Sequence, residues 1–467
     1  MRRTALSLLA HWAGGELLGE DVAIDAVSQD SRQMRPGSLY VALRGERFDG
    51  HDFAADACAK GASALLVERE LVDVDLPQVK VADAQLALAA MARGMQADRA
   101  TKVFAVTGSN GKTSVKSLLL SVLQQAAAVS GCTVHANPGN HNNEIGLPLA
   151  VLDAPDDADF AIYEMGAGKP GDIAYLTAIV RPDYALVNNI AAAHLERMGS
   201  LLGVASTKGA IYQALPANGT AVINADEAFA LWFEQHFLAD GQRRIVRYGL
   251  DTATGVHARN LRLQAGGSQF TLVTEQGEAE VTLALPGRHN VRNALAVAAL
   301  TLAAGIPLAQ VVAGLGSAQP VAGRQVRQRL LSGATVIDDS YNANPGSLAA
   351  AIDSLALEPG AGWLVLGDMR ELGPDAARLH AEAGLRARSA GLQRLYALGE
   401  LSAAAAEAFG EGGYVATDHA GLAARLQADL AAASEAPTVL VKGSRGSAMD
   451  KIVSALLTQK ESTQDVA

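Results

Sequence analysis

The hydrophobic pattern of the chain switches between two periods along nearly its whole length. Short runs of β-branched and apolar residues, typical of buried strands, are separated by longer stretches with apolar residues at helical spacing. The run "VFAV" at residues 103–106 is followed, after a glycine turn, by "SVKSLLLSVL" at residues 114–123. Strands separated by helices of this length predict parallel sheets. We therefore predict the α/β fold class.

The alternation divides the chain into three regions, which we interpret as domains. Residues 1–82 carry short strands and helical pieces and predict a small α/β module. Residues 83–317 contain longer strands and then, from "RIVRYGL" to "AEVTLALPG", a β-rich insert with alternating polarity and glycine turns. Residues 318–467 resume the alternation and predict a Rossmann-like α/β domain. Three domains also suit the 467 residues of the chain.

One apolar stretch, residues 294–316, carries no charge and is long enough to span a bilayer. Gly305 and Pro307 interrupt it, and Pro307 stands where a second helix would start. We interpret the stretch as two buried helices and expect no stable membrane insertion. The basic and apolar first residues lack a clean signal-peptide cleavage site, so we expect a cytoplasmic protein.

The charge and cysteine content narrow the choice of partners. The net charge of −11 argues against nucleic acid or an anionic membrane as a partner. Two cysteines, Cys58 and Cys132, cannot build a disulfide framework and lack metal-site spacing, which suits a reducing compartment. An anionic substrate would need positive charge concentrated inside a cleft.

The segment "GSNGKTS", residues 108–114, has the features of a phosphate-binding loop. Gly111, Lys112 and Thr113 match the end of the pattern G-x-x-x-x-G-K-[ST], but Val106 stands where the first glycine belongs. Gly108 would give a shorter loop. Backbone N–H groups and a helix N-terminus would favour an anion there, with charge from Lys112 and a Mg²⁺ ligand from Thr113. The alternative is a plain turn with an incidental lysine.

Polar residues follow several predicted strands, where open α/β sheets bind their ligands. Glu164 follows "FAIY" and either holds Mg²⁺ or makes a cap or an ion pair. His194 lies beyond "YALVNNI", and Lys208 lies on the next helix, where a surface position is the simpler interpretation. Asn290 and Asn293 share one helix face and either read a base edge or cap the helix.

The third region opens with another polar cluster. Arg324 precedes a strand that ends in Asp338 and Asp339. The loop "YNANPGS" follows, and a helix is predicted to start after Pro345. The two aspartates are either a ribose or cation contact or an ordinary turn.

Eight motifs in order resemble those of the Mur ligases of peptidoglycan synthesis: "VTGSNGKTS", "NPGNHNNEIGLPL", "EMGAGKPGDI", "NNIAAAHLERMGS", "PGRHNVRNALA", "GRQ", "DDSYNANPGS" and "LGDMRELG". The stretch "QDSRQMRPGSLYVALRGERFDGHDF", residues 29–53, resembles the uridine-nucleotide module of that family. The resemblance covers nearly the whole chain. The family's loop has the short form TGxNGKT, so Val106 is no objection.

The resemblance implies an ATP-dependent amide ligase of cell wall synthesis. It implies that ATP activates the carboxylate of UDP-N-acetylmuramoyl-tripeptide as an acyl phosphate, which the amine of D-alanyl-D-alanine then attacks. The implied cofactors are ATP and two Mg²⁺ ions, with a carbamylated Lys208. We expect a monomer.

The resemblance also implies residue roles. Lys112, Glu164, His194, Lys208 and Arg324 would be catalytic, and Thr113, Glu164, His194 and carbamylated Lys208 would hold metal. The ATP-binding residues would be Gly108, Ser109, Asn110, Gly111, Lys112, Thr113, Ser114, Asn290, Asn293, Arg324 and Asp339. Ser31 and Arg32 would contact the uridine nucleotide, and Asn142 and Asn143 the muramoyl peptide. Ala210 stands where the family usually has glutamate, so a role for a glutamate there is in doubt.

Three alternatives remain open. A folylpolyglutamate-type ligase shares the ATP domain but not the "DSR…PGSLYVAL" module. The tripeptide-forming Mur ligase usually has "NPR" where this chain has "NANPGS". A non-ligase nucleotide-binding regulator would not need Glu164, His194 and Lys208 together. Because the predicted ATP residues lie in two domains, we expect the domains to close during turnover.

Overall fold

The computed structural model describes residues 1–192 and 194–458, and in this part the predicted α/β class with parallel sheets is confirmed. Three large sheets follow one another along the chain. Each sheet falls within one of the three predicted domains, whose boundaries at residues 82 and 317 remain predictions. Residues 459–467 of the predicted third domain lie outside the described part.

The first unit is built on a five-stranded sheet of order β2-β7-β6-β5-β4, in which only β2 is antiparallel to its neighbour. The short strands β1 and β3 pair separately. Its elements are β1 (Thr4–Ala5), α1 (Leu6–Ala13), β2 (Glu16–Leu18), β3 (Ala23–Ile24), β4 (Ala26–Ser28), β5 (Ser38–Val41), α2 (Ala54–Ala59), β6 (Ala62–Val67), β7 (Gln78–Lys80) and α3 (Ala84–Ala97).

The central unit contains a nine-stranded sheet of order β16-β15-β14-β13-β12-β11-β8-β10-β9. Its first elements are β8 (Lys102–Thr107), α4 (Lys112–Ser130), β9 (Val134–Ala136), α5 (Gly146–Asp153), β10 (Phe160–Glu164), α6 (Asp172–Val180), β11 (Tyr184–Val187), α7 (Leu195–Met198), α8 (Leu201–Gln213), β12 (Thr220–Asn224) and α9 (Ala230–Phe237). Then follow β13 (Arg244–Gly249), β14 (Val256–Gln264), β15 (Gly267–Thr274), β16 (Gly277–Leu283), α10 (Arg288–Ala303) and α11 (Leu308–Ser317).

The predicted β-rich insert continues this central sheet. Its strands β13 and β14 are parallel to the strands before them, and only β15 and β16 run antiparallel. The insert therefore widens the sheet at one edge and leaves the strands β12, β11, β8 and β10 in the middle.

The third unit has a six-stranded sheet of order β17-β18-β22-β19-β20-β21, parallel except for β17. Its elements are β17 (Val326–Arg329), β18 (Thr335–Asp339), α12 (Pro345–Leu355), β19 (Gly362–Gly367), α13 (Ala376–Ser389), β20 (Arg394–Leu398), α14 (Glu400–Phe409), β21 (Gly413–Ala416), α15 (His419–Ala432), β22 (Thr438–Lys442) and α16 (Asp450–Leu457). The helix α12 begins at Pro345 itself, with Asn344 as its N-cap.

The central strands are apolar on both faces because helices cover the sheet on both sides. Along β8, Val103 and Ala105 face one core, whereas Phe104 and Val106 face the other. The charge-free stretch forms most of α10 and α11, the two helices that were predicted, and both pack against α4 on the second face. α10 is mostly buried as predicted, whereas α11 buries only Val311, Gly314 and Leu315 and is otherwise partly exposed. No helix among the described residues is long and apolar enough to span a membrane.

Candidate active site

A cleft of about 760 Å³ lies between the central and third units, at the carboxyl ends of their parallel strands. The strands β8, β10, β11 and β12 are neighbours in the central sheet. The loops that follow them therefore lie side by side at the cleft. Fourteen of the predicted site residues line this cleft: Ser109, Asn110, Gly111, Lys112, Thr113, Ser114, Asn142, Asn143, Glu164, His194, Asn290, Asn293, Arg324 and Asp339. Gly108, Lys208, Ser31 and Arg32 are outside its lining.

The nucleotide loop, residues 108–113, consists of the turn after β8 and the first two residues of α4. Gly111 has φ of 77°, and a Cβ there would lie 2.6 Å from the Asn188 amide nitrogen, so only glycine fits. The Lys112 ammonium folds back over the loop and donates to the Gly108 carbonyl at 2.8 Å. Burial lowers the pKa of Lys112, although the charge of Glu164 opposes this shift. The geometry combines a helix N-terminus with a cation, which suits phosphate.

An asparagine cluster that the sequence analysis did not single out fixes this loop. The Asn110 backbone N–H donates to Asn189 Oδ1 at 2.8 Å, and its carbonyl accepts from Asn188 Nδ2 at 3.0 Å. Asn188 Nδ2 also donates to Asn293 Oδ1 at 2.9 Å. Both Asn188 and Asn189 lie within the motif "NNIAAAHLERMGS", from which only His194 was predicted as a site residue.

The third unit contacts the nucleotide loop directly. Arg324 Nη2 donates to Thr113 Oγ1 at 2.9 Å, and its guanidinium lies 4.4 Å from the centre of the Tyr341 ring. Asn344 Nδ2 donates to Asn110 Oδ1 at 2.6 Å. The sequence-predicted Arg324 thus reaches the loop from the other sheet, and any phosphate bound there would be held from both units.

Glu164 ends β10 as a buried carboxylate. Its Oε1 accepts from Asn142 Nδ2 at 2.9 Å, and Lys116 Nζ lies 3.5 Å from Oε2. Within residues 1–192 and 194–458, Oε2 has no hydrogen-bond partner. A buried oxygen with a free lone pair suits Mg²⁺, which prefers oxygen ligands, so Glu164 together with the nearby Thr113 hydroxyl fits a first cation.

His194 is engaged with a residue of the third unit. Its Nδ1 pairs with Glu371 Oε2, and both residues have positive φ, 54° and 62°. Burial lowers the pKa of His194, whereas Glu371 opposes the shift. Across the described part of the chain no group of three or more His, Cys, Asp or Glu is arranged to hold a metal. The contact of Nδ1 with Glu371 leaves Nε2 as the ring nitrogen for a second cation. Glu371 was not predicted, although it lies within "LGDMRELG".

Lys208 lies on α8 and is only 1% exposed, so the interpretation as a surface lysine is wrong. Burial and then the charge of Lys112 lower the pKa of Lys208 to about 7, although Asp172 opposes them. The amine is thus partly neutral at pH 7, and a neutral amine is the form that reacts with CO₂. The environment of Lys208 fits a carbamate in this respect. Ala210, two residues further along α8, is partly buried against the hydrophobic core that contains Val204 and Ile211.

The residues predicted to contact adenosine are held by buried partners. Asn293 Nδ2 donates to Asn290 Oδ1 at 3.2 Å, so the two amides on α10 contact each other as predicted from their spacing. Asp339 accepts from Lys442 Nζ at 2.5 Å, because the two residues end the neighbouring strands β18 and β22. Burial raises the pKa of Asp339 and Lys442 opposes it. Lys442, which lies within "TVLVKGS", was not predicted as a site residue.

The predicted uridine contacts lie in the first unit, away from the cleft lining. Ser31 donates to Asp56 Oδ2 at 2.6 Å, and the exposed Arg32 pairs with Asp30 at 2.8 Å. The structure brings these two residues together in one turn but does not bring them to the nucleotide loop.

Comparison with known proteins gives family matches in all three units. The model described as "Mur ligase family, catalytic domain" matches residues 23–103, "Mur ligase middle domain" matches 106–301, and "Mur ligase, glutamate ligase domain" matches 323–445. The UDP-N-acetylmuramoyl-tripeptide--D-alanyl-D-alanine ligase of Escherichia coli K12 is 44% identical over 457 residues, which cover 98% of this chain and 99% of that protein.

Solved structures agree with the sequence matches. MurF from Acinetobacter baumannii superposes with a TM-score of 0.90 at 31% identity, covering 98% of this chain and 99% of that one. MurF ligase from Thermotoga maritima, solved in complex with ADP, superposes with a TM-score of 0.81 at 27% identity, covering 94% of this chain and 98% of that one.

Proposed function

The chain belongs to the Mur ligase family, and we propose that it joins D-alanyl-D-alanine to UDP-N-acetylmuramoyl-tripeptide, forming ADP and phosphate, in peptidoglycan precursor synthesis. The near full-length likeness to the E. coli ligase of that name supports the substrates. The observation that supports the chemistry best is the contact of Arg324 with Thr113 at 2.9 Å, which joins the third unit to the nucleotide loop. The relative solved with ADP supports nucleotide binding at such a site.

The reaction proceeds in two steps. The tripeptide carboxylate attacks the γ-phosphorus of ATP, an acyl phosphate forms, and ADP leaves. The amine of D-alanyl-D-alanine then attacks the acyl carbon, the C–O bond to phosphate breaks, and the amine proton is lost as the amide forms. Positioning and charge stabilisation dominate such phosphoryl transfer.

Residues of the cleft supply that positioning. The amides of residues 108–113 and the Lys112 ammonium bind the phosphates, and Arg324 adds charge from the third unit. Asn290 and Asn293 contact the adenine, and Asp339, held by Lys442, contacts the ribose. Ser31 and Arg32 bind the uridine nucleotide in the first unit, and Asn142 and Asn143 face the muramoyl peptide.

The cations complete the charge balance of the site. Thr113 and Glu164 are suited to one Mg²⁺, and His194 with Lys208 as a carbamate to a second. When bound, Mg²⁺ neutralises phosphate charge. The carbamate would convert Lys208 from a buried cation into an anion, which removes its repulsion from Lys112. Glu164 Oε2, which accepts no hydrogen bond from the described residues, and the lowered pKa of Lys208 support these assignments.

Closure of the third unit on the central unit protects the acyl phosphate from water. Contacts of Arg324, Asn344 and Glu371 with the central unit support this part of the proposal. We further propose a cytoplasmic monomer.

Phosphate release tests the proposed reaction. We expect release only when ATP, UDP-N-acetylmuramoyl-tripeptide and D-alanyl-D-alanine are all present, with a product heavier than the tripeptide by the dipeptide residue. Single amino acids and folate substrates serve as acceptor controls for the other ligases of the superfamily. Phosphate release at full rate with ATP alone would instead support a nucleotide-binding regulator.

A further inference from the structure

Lys116 occupies an unusual place one turn beyond the nucleotide loop. It follows Lys112 by four residues on α4 and therefore lies on the same face of that helix. Lys116 is only 7% exposed, although lysine is rarely buried without a partner. A buried ammonium is retained only where its donors are satisfied.

The Lys116 ammonium donates two hydrogen bonds and lies beside one carboxylate. It donates to the Asn137 carbonyl at 2.9 Å and to the Gly139 carbonyl at 2.8 Å, and it lies 3.5 Å from Glu164 Oε2. Two of these partners begin the substrate loop, which we define as residues 137–145. The third is the carboxylate at the end of β10.

The substrate loop is joined to Glu164 at a second point. Asn142 Nδ2 donates to Glu164 Oε1 at 2.9 Å, and the Gly166 N–H donates to the Asn142 carbonyl at 2.8 Å. Lys116 and Asn142 thus approach different oxygens of one carboxylate. A displacement of Lys116 changes the anchoring of the loop at residues 137 and 139 and the position of Glu164 together.

We propose that Lys116 is a positioning residue that couples the nucleotide loop to the substrate loop. Phosphate bound at the N-terminus of α4 fixes the first turns of that helix, and Lys116 transmits this order to the loop that carries Asn142 and Asn143. Binding of nucleotide then favours binding of the muramoyl peptide, and the reverse holds equally, because coupling between two sites is reciprocal. This inference rests on the proposed function for the identity of the second ligand.

The coupling is measured with purified full-length protein by titration calorimetry. The Kd of UDP-N-acetylmuramoyl-tripeptide is determined with and without a non-hydrolysable ATP analogue and Mg²⁺. For the wild type we expect the analogue to tighten binding by about fivefold or more, the lower end of typical coupling. For Lys116→Met we expect the analogue to change the Kd of the nucleotide-tripeptide by less than about twofold.

Lys80→Met is the matched control, because Lys80 makes an exposed ion pair with Glu16 in the first unit, away from both loops. It should keep the wild-type coupling. Wild-type coupling in Lys116→Met, or an absence of coupling in the wild type, overturns the proposal. A mere packing role would lower stability without removing the effect of one ligand on the other.

Hydrogen exchange provides a readout that does not depend on how the variants fold. In the wild type, the ATP analogue alone should slow amide exchange in residues 137–145, and unchanged exchange there contradicts the inference.

Lys116→Gln, which keeps a donor for one carbonyl, replaces Lys116→Met if the latter aggregates. If the wild type binds the nucleotide-tripeptide but shows no coupling, the inference fails and the proposed function stands. If it neither binds the nucleotide-tripeptide nor joins the dipeptide to it, the proposed function fails as well.

Discussion

Replacing Lys208 with methionine should make the central unit more stable near neutral pH while abolishing ligase activity. Burial lowers the pKa of Lys208 from 10.5 to about 7, so the folded protein resists carrying the charge that the unfolded chain carries freely. Methionine has a similar length and no charge to bury. A gain in stability on loss of activity would mark Lys208 as a residue kept for function.

The sign and size of the effect follow from proton linkage. Below pH 7 the folded and unfolded states both hold the proton, so the stability contribution of Lys208 is constant there. Between pH 7 and 10.5 the unfolded chain binds more protons, and the free energy of unfolding of the wild type rises with pH. Each pKa unit corresponds to about 1.36 kcal/mol, so the gap between Lys208→Met and the wild type should shrink by roughly 2–3 kcal/mol from pH 7 to 9.

The three tryptophans allow the central unit to be observed alone. Trp12, Trp232 and Trp363 lie one in each unit, and Trp232 is on α9, which packs against α8. In a Trp12→Phe/Trp363→Phe background, urea unfolding is followed by Trp232 fluorescence in CO₂-free buffer, where only the free amine titrates. The measurement is repeated at several pH values with and without Lys208→Met.

The prediction is refuted if the difference in free energy of unfolding between Lys208→Met and the wild type stays constant within about 0.5 kcal/mol from pH 7 to 9. A lysine that titrates in this range must change that difference by more. The carbamate proposal would then lose its chemical basis, since an amine with an ordinary pKa is almost fully protonated at pH 7. A surface lysine in the same unit, Lys102→Met, controls for the general effect of removing one charge.

Further outcomes are expected for Lys112, Arg324 and Lys208 and for the closure of the units. Lys112→Ala should lose turnover and bind ATP weakly while the first unit still binds the uridine nucleotide; near wild-type turnover at saturating ATP would contradict the phosphate role. Arg324→Ala should lower kcat by roughly 10²–10³-fold, equivalent to about 2.7–4 kcal/mol, with an unchanged circular dichroism spectrum. Small-angle scattering of the wild type should show compaction when the ATP analogue and the substrate are added. An unchanged radius of gyration would count against closure of the units. Lys208→Arg should lose most activity because arginine forms no carbamate, and a small carboxylate should partly restore Lys208→Ala; wild-type turnover of Lys208→Arg would exclude the carbamate role.

The sequence predicted the regular elements well because their signals are local. The run "VFAV" became part of β8, and the charge-free stretch became α10 and α11, since Gly305 and Pro307 end one helix before the next begins. The β-rich insert was predicted by alternation, but its place as an extension of the central sheet was not. Strand partners depend on which edge is free, and no local pattern encodes that.

The partners of the site residues were harder to predict. Arg324 and Thr113 are 211 residues apart, and His194 and Glu371 are 177 apart, so their contacts follow from domain packing alone. Lys208 was compatible with a surface position because most lysines are exposed. Its burial follows from tertiary packing, because α6, α9 and the strands β8 and β11 all pack against α8. Likewise, a lysine on a helix such as Lys116 gives no local sign of the two carbonyls that it binds.

The contacts between the central and third units explain how an acidic chain can bind several anions at once. Lys442 in the cleft is matched by Asp339, and Lys116 behind its lining lies beside Glu164. Of the cations that line the cleft, Lys112 and Arg324 are the two that contact the nucleotide loop. Lys112 belongs to the central unit and Arg324 to the third, so the positive charge for the phosphates is complete only when the units meet. Separation would remove the contacts of Arg324, Asn344 and Glu371 together, since all three reach across from the third unit. Under the closure that we propose, one movement would bring Arg324 to the nucleotide loop and exclude water from the acyl phosphate.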